Sequence, residues 1–223
     1  MLFSKRRSTP DVLIPLLYTV IAPVHDVLAK RVATRARHIA LSWLVVQDGE
    51  CVLELAPGTG LAFHRLVQAN PSGQTLGLDR SSAMLRRARR RLSHAAASSW
   101  TLRLGDARHT PVEADGADAL YAGYLLDQFD RSGQTDVLVE AQRVLRPGGR
   151  LVLQHMTHPA SPVARGWARL ARMAPWILGR CQPIQIEPML RAVGFTNLRR
   201  QYVEEGGFPS EVVYAECPVS SHS

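Results

Sequence analysis

Apolar positions fall into short blocks separated by amphipathic stretches. Residues 51–55 (Cys-Val-Leu-Glu-Leu), 75–78, 117–123 and 151–153 are short, mainly apolar runs, with glycine, aspartate or proline close by. Runs that short, so bounded, predict buried strands rather than helices. Between them, residues 61–67 and 81–97 carry apolar side chains at a spacing of three or four, which predicts helices packed through one stripe. Strand and helix alternate in this way to residue 155, and that alternation predicts a doubly wound α/β sheet with crossover helices. Upstream, 11–47 reads as helical, with 39–45 its most apolar turn. Downstream, 195–204 and 211–217 read as two strands joined by Gly206-Gly207-Phe208-Pro209-Ser210, a hairpin pattern.

The first strand ends in an acid and runs straight into a glycine turn, Glu54-Leu55-Ala56-Pro57-Gly58-Thr59-Gly60, from which the next helix starts at once. Strand, tight turn and helix in that order let backbone approach a nucleotide-like ligand closely. Nineteen residues after Gly60 the second strand ends in Asp79, placed to accept hydrogen bonds from both hydroxyls of a ribose. Together these features describe a site for an adenosine-containing cofactor. A dinucleotide fingerprint would want a third glycine where Phe63 stands, and no Gly-Lys-Ser/Thr follows the turn, which excludes a P-loop.

Glu54-x-Ala56-x-Gly58-x-Gly60 resembles motif I of the class I S-adenosylmethionine-dependent methyltransferases, with alanine in place of the first glycine. Asp79-Arg80-Ser81-Ser82-Ala83-Met84-Leu85 resembles the family's Asp-x-Ser-x-x-Met-Leu segment. Leu104-Gly105-Asp106-Ala107 resembles the motif that follows, and Arg143 to Leu153 the helix, Pro-Gly-Gly turn and fifth strand. The resemblance implies a Rossmann-like sheet of seven strands with the last antiparallel, and S-adenosyl-L-methionine as cofactor. It implies that Met84 lies against the adenine and that Asp106 accepts from its amino group. Glu54, Ala56, Pro57, Gly58, Thr59, Gly60, Asp79, Arg80, Gly105, Ala107 and Gly123 would complete the cofactor site. Tyr18-x-x-x-Ala22-Pro23-Val24-His25-Asp26 is similar to a segment of the ubiquinone/menaquinone-biosynthesis (type 11) methyltransferase group, with His25 for a second tyrosine; it adds Tyr18 to the cofactor contacts. The Gly-Leu-Arg-Asn that the menaquinone enzymes carry after strand four is absent.

The 223 residues suffice for one α/β domain with additions. We expect a basic tail (1–10), a helical cap (11–47) and a catalytic domain (48–218) with an insertion at about 156–182. The net charge of +8 is almost all arginine, since Lys5 and Lys30 are the only lysines. The arginines of 86–91 fit either an anion-binding patch or the solvated face of an amphipathic helix, and the second is preferred; nucleic acid is not expected as a partner. Cys51, Cys181 and Cys217 have no metal-ligand or disulfide-framework spacing, and no metal is expected. The cysteine usage fits a cytoplasmic, reducing compartment, and Asp11, Pro15 and Pro23 interrupt the apolar stretch that follows Lys5-Arg6-Arg7, which argues against a signal peptide. In 164–174, Arg165, Arg169 and Arg172 share one helical face and Trp167 and Leu170 the other. This pattern fits a lid helix or, across 164–178, a peripheral contact with the inner membrane face.

Residue types then narrow the methyl acceptor. The chain lacks the Asp/Asn-Pro-Pro-aromatic loop used on exocyclic base amines, a Pro-Cys nucleophile and a Lys-Asp-Lys-Glu tetrad in the domain. The expected acceptor is a small, lipophilic molecule or a lipid, methylated by in-line displacement in which positioning does most of the work. His155 is the first candidate base, with His25 and Tyr124 as further catalytic candidates. Two other readings stay open: a nicotinamide-dependent Rossmann oxidoreductase, and a non-catalytic module that only binds S-adenosylmethionine. Phe63 and the lack of a substrate domain count against the first, and the paired Asp79 and Asp106 against the second.

Overall fold

The computed structural model describes residues 33–93, 100–173 and 183–219. Its core is a seven-stranded sheet of order β3-β2-β1-β4-β5-β7-β6. The strands are β1 (Cys51–Leu55), β2 (Gln74–Asp79), β3 (Trp100–Leu104), β4 (Ala117–Gly123), β5 (Leu145–Met156), β6 (Thr196–Glu205) and β7 (Phe208–Glu216). The first five run parallel, and β7 is antiparallel to both β5 and β6. The helices are α1 (Thr34–Leu44), α2 (Phe63–Ala69), α3 (Ser82–Arg91), α4 (Arg131–Val144), α5 (Pro162–Met173) and α6 (Glu187–Val193).

Side chains alternate across the pleat, so each central strand feeds two cores. Leu53, Leu55, Leu120, Leu151 and Leu153 pack on the face covered by α4 and α6. Val52, Tyr121, Val152 and Val212 pack on the other face, under Ala36, Ala40 and Leu44 of α1. Phe63 of α2 and Leu85, Ala88 and Leu92 around α3 form a third cluster over the outer strands. Phe63 is fully buried and sits on Gly77, where a Cβ would lie 2.8 Å from its ring. The residue that breaks a dinucleotide fingerprint is therefore a core residue of this fold.

Where the structure departs from sequence expectation, the causes are local. The final hairpin turns on two residues, Gly206 and Gly207, with φ of +58° and +83°. Phe208, Pro209 and Ser210 belong to β7 instead, because a two-residue turn with both φ positive matches the twist of paired strands. Helix α3 stops at Arg91, with Leu92 closing it. Of the expected 11–47 cap, the described portion holds α1 alone. That helix ends on Val45 in a left-handed conformation (φ +46°, ψ +56°). Arg150 donates from Nε to the Leu44 carbonyl at 2.8 Å and pairs with Glu50 at 2.6 Å, tying α1 to the sheet. Among the described residues no helix is long and apolar enough to cross a membrane.

Candidate functional site

Parallel strands with helices on both faces leave a crevice at their carboxyl ends, where the strand order reverses between β1 and β4. The glycine turn follows β1 at that point. Ala56 takes φ +55° and donates its N–H to the Leu78 carbonyl at 2.8 Å. Alanine in this region is strained by about 1 kcal/mol, and the neighbouring strand holds it there. Gly58, also at φ +55°, has open space where a Cβ would stand. Gly60 (φ +80°) differs, since a Cβ there would meet Ala88 of α3 at 3.0 Å. Gly58 therefore keeps the cradle open, while Gly60 lets α3 pack against the turn. The Pro57 carbonyl closes the turn by accepting from Gly60 N at 2.9 Å, and that of Thr59 accepts from Arg91 Nε at 2.8 Å.

Asp79 is almost fully buried and buttresses this turn. Its Oδ2 accepts from Gly58 N at 3.0 Å, and its Oδ1 accepts from Ser81 N at 2.8 Å. Burial raises its pKa, and the two N–H donors oppose the rise. A carboxylate offers about four acceptor sites, so two remain for a pair of hydroxyls. Glu54, 3% exposed, is pushed well above the carboxylate range by burial, against the pull of Arg37 and with the push of Asp79. Its Oε2 is buried without a hydrogen-bond partner. A cradle open at Gly58, a carboxylate with spare acceptor sites and a buried acid with one oxygen lacking a donor fit S-adenosylmethionine, which carries a ribose and a cationic amino-acid tail.

The adenine end is arranged less simply. Asp106 is gripped by Arg108, which donates from Nε to Oδ1 (3.1 Å) and from Nη2 to Oδ2 (2.7 Å). The hydrogen bonds and charge of Arg108, with Arg80 at 3.9 Å, hold its carboxyl down to about 2. The Arg108 guanidinium also stands 5.6 Å from the Phe129 ring centre. Asp106 is therefore an oriented anion already bound to arginine, a partner that sequence reading missed although Asp106-Ala107-Arg108 places it two residues away. Met84 and Ala107 are buried, and Gly105 admits Leu78, whose side chain a Cβ would meet at 2.5 Å.

The expected acceptor side changes more. His155 is fully buried, so its place as a base touching an acceptor is corrected: its ring is inside the protein. It lies between two acids, with Nε2 3.4 Å from Glu211 Oε2 and Asp127 acting on it by charge. Burial works against a charged ring, yet Glu211, Asp127 and the Met156 carbonyl together hold its pKa above the ordinary value. Asp127 receives Met156 N at 2.8 Å, and burial drives its pKa up to about 7. This cluster fastens the 3-10 turn after β4 (Leu126–Gln128) to the end of β5.

Tyr124 stands just past β4, half-buried, with φ +52°. Its hydroxyl meets Gln154 Nε2 at 2.9 Å and Ser210 Oγ at 2.6 Å, and its ring meets Phe208 edge-on. Gly123 has no Cβ because the Tyr121 hydroxyl would lie 2.7 Å from one. Gln154 and Ser210 had no signal in the sequence. Tyr18 and His25 lie outside the described residues. So do the Trp167 and Leu170 side chains and residues 174–178, although α5 itself lies where the insertion was expected. Of the arginines of α3, Arg89 and Arg91 are tied to the carbonyls of Leu102 and Thr59, and Arg86, Arg89 and Arg90 are exposed.

Residues 52–149 match the family model described as a methyltransferase domain. A 2-phytyl-1,4-naphtoquinone methyltransferase of Synechococcus elongatus is 34% identical over 157 residues, covering 67% of this chain and 66% of that protein. The ubiquinone/menaquinone biosynthesis C-methyltransferase UbiE of Paracoccus denitrificans is 28% identical over 180 residues, covering 78% and 66%. The chain thus spans just under two thirds of the length of these relatives. Among solved structures, phosphoethanolamine N-methyltransferase 2 of Haemonchus contortus, in complex with S-adenosyl-L-methionine, superposes with a TM-score of 0.67. The identity is 13%, and the match covers 82% of this chain and 52% of that one. At that identity the likeness concerns the fold.

Proposed function

Because this chain belongs to the class I S-adenosylmethionine-dependent methyltransferases, we propose that it transfers a methyl group from that cofactor to a small lipophilic acceptor of the quinone type in its reduced, hydroxylated form. The observation that carries the reading is the turn at Gly58 backed by Asp79, with Glu54, whose Oε2 lacks a hydrogen-bond partner, at the end of the strand before that turn. S-adenosylmethionine supplies a methyl group already activated by its sulfonium. The chain's own residues are left with binding, orientation and exclusion of water. Asp79 holds the ribose hydroxyls, Glu54 faces the cationic end, and Asp106, fixed by Arg108, bounds the adenine end.

The acceptor class rests on the relatives, whose names specify prenylated naphthoquinones and ubiquinone/menaquinone biosynthesis. Net positive charge and an exposed arginine pair on α5, Arg165 and Arg169, fit a site that takes its acceptor from an anionic membrane surface.

The test incubates the protein with methyl-labelled S-adenosylmethionine and chemically reduced 2-phytyl-1,4-naphthoquinone, followed by partition into organic solvent. Label recovered in the organic phase is expected. Cofactor binding without transfer to this or any other lipophilic quinol overturns the acceptor class, and absence of cofactor binding overturns the methyltransferase reading itself.

A further inference from the structure

The positive charge of this chain is not spread over it. Residues 80–108 hold eight arginines, no lysine and a single acid, Asp106, so seven of the chain's eight net positive charges arise there. That stretch carries α3 and the edge strand β3. The sequence alone leaves its arginines as a solvated helix face; the structure shows that their tasks are unequal.

Five of the eight have a task inside the molecule. Arg108 grips Asp106 and feels the charge of Asp130 and Asp136, and Arg80 stands 3.9 Å from Asp106. Arg91 is tied to the Thr59 carbonyl. Arg89 donates to the Leu102 carbonyl at 2.8 Å, and a charge held on an edge strand discourages another strand from pairing with it. Arg90, in the last turn of α3, complements the negative end of the helix dipole. Arg86, Arg87 and Arg103 remain. Arg86 reaches Ser82 Oγ of its own helix at 3.4 Å, and among the described residues no acid pairs with any of the three. Arg86 and Arg103 are exposed and Arg87 is half-buried.

Next to Arg103, Leu104 is 64% exposed at the last position of β3. An exposed leucine among arginines that no acid answers has the composition of a surface that settles into the headgroup layer of a bilayer. A nucleic acid would call for exposed rings on which bases stack. Trp100, the one tryptophan, tyrosine or phenylalanine between 80 and 108, is half-buried with its Nε1 covered.

Position adds to composition. Arg103 and Leu104 close β3 at its carboxyl end, and Arg86 lies in the second turn of α3, the helix that starts at the same end of the sheet. Helix α5 follows β5 at that end too, with Val163 62% exposed and Arg165 exposed. The crevice between β1 and β4 lies between β3 and β5 in the strand order. A flat anionic surface laid across the carboxyl ends would therefore meet both places and cover the crevice.

We propose that the α3–β3 edge docks on an anionic phospholipid bilayer through Arg86, Arg103 and Leu104, with the crevice opening toward the membrane. The choice of lipid rests in part on the lipophilic acceptor proposed above; the docking itself needs no methyl transfer.

The test is sedimentation of the full chain with vesicles of phosphatidylcholine, alone or mixed with phosphatidylglycerol, with each variant checked for folding by its melting temperature. Binding to the mixed vesicles only, weakened by salt, is expected. An arginine at such a surface contributes about fivefold, so R86Q/R103Q should bind roughly 25-fold more weakly. R146Q/R191Q removes the same charge at the amino end of the sheet and should bind as the wild type does. L104S should lose about tenfold. Absence of binding to mixed vesicles, full binding by L104S, or no greater loss in R86Q/R103Q than in R146Q/R191Q overturns the proposal. Binding to single-stranded RNA that is tighter than to mixed vesicles and lost in R86Q/R103Q also overturns it, and assigns the edge to nucleic acid. S-adenosylmethionine titrated into the same protein separates the two readings: vesicle binding without cofactor binding supports the docking and overturns the methyltransferase reading.

Discussion

The Asp79 carboxylate and the Gly58 amide, 3.0 Å apart, are the joint of the proposed cofactor site. The carboxylate that would meet the ribose also holds the turn that would meet the rest of the ligand. Replacing Asp79 by asparagine removes the charge and an acceptor without changing shape. Hydrogen bonds to a charged group contribute about 1.5–3 kcal/mol, so D79N is expected to weaken S-adenosylmethionine binding roughly 10- to 100-fold in a calorimetric titration. Unchanged affinity would remove Asp79 from the site.

The two glycines of the turn separate binding from folding. G58A places a methyl in open space at a left-handed φ, which costs about 1 kcal/mol of stability but fills the ligand's side of the turn. G60A meets Ala88 at 3.0 Å as well as a φ of +80°, and is expected to destabilise more. Melting temperature and cofactor affinity, measured on both, should rank in opposite orders. The same order in both measurements would show that the turn does not divide its tasks.

Val45, 56% exposed, ends α1 in a left-handed conformation that suits glycine and strains a β-branched side chain. V45G should gain about 1 kcal/mol, seen as a rise of roughly 2–4 °C in melting temperature, with turnover unaffected. A lower melting temperature would mean that the apolar side chain contributes more than its backbone costs.

The acid pair around His155 sets a pH dependence of stability. Burial gives Asp127 a pKa of about 7 in the fold against 3.8 when unfolded. Folding therefore takes up a proton between those values, and stability falls as pH rises through that window. His155, raised by Glu211 and Asp127 against its burial, acts in the same sense: its contribution is present at low pH and is lost as pH rises through its folded value. Glu211, held down by His155 against its own burial, acts oppositely below its ordinary 4.5. D127N retains an oxygen for Met156 N but cannot ionise. Urea unfolding at pH 5 and pH 8 should show a smaller loss for D127N than for wild type, by at most about 1.4 kcal/mol per pH unit. Equal slopes would place the coupling elsewhere.

Much of this molecule was legible in its sequence because the signals are local. The bounds of β1 and β4, the glycine turn and Asp79 follow from neighbouring residues, and so does the final hairpin apart from its turn. The acceptor side was not legible. His155 looked available because it follows a strand, yet it faces Asp127 and Glu211, which are 28 and 56 positions away in the sequence. Gln154 resembles any polar residue in a strand until Tyr121 and Tyr124 are folded against it. Arg108 could have been suspected from its distance to Asp106, since an arginine two residues from a turn aspartate is within reach of both its oxygens.

The place of β7 in the sheet bears on how the chain is made. It is synthesised after β6 but lies between β6 and β5. On the ribosome, β5 therefore keeps an open edge of N–H and C=O groups until residues 208–216 have emerged, and such an edge invites pairing with another nascent chain. A premature stop between residues 157 and 207 would leave that edge permanently uncovered, so its product should be found aggregated rather than merely inactive.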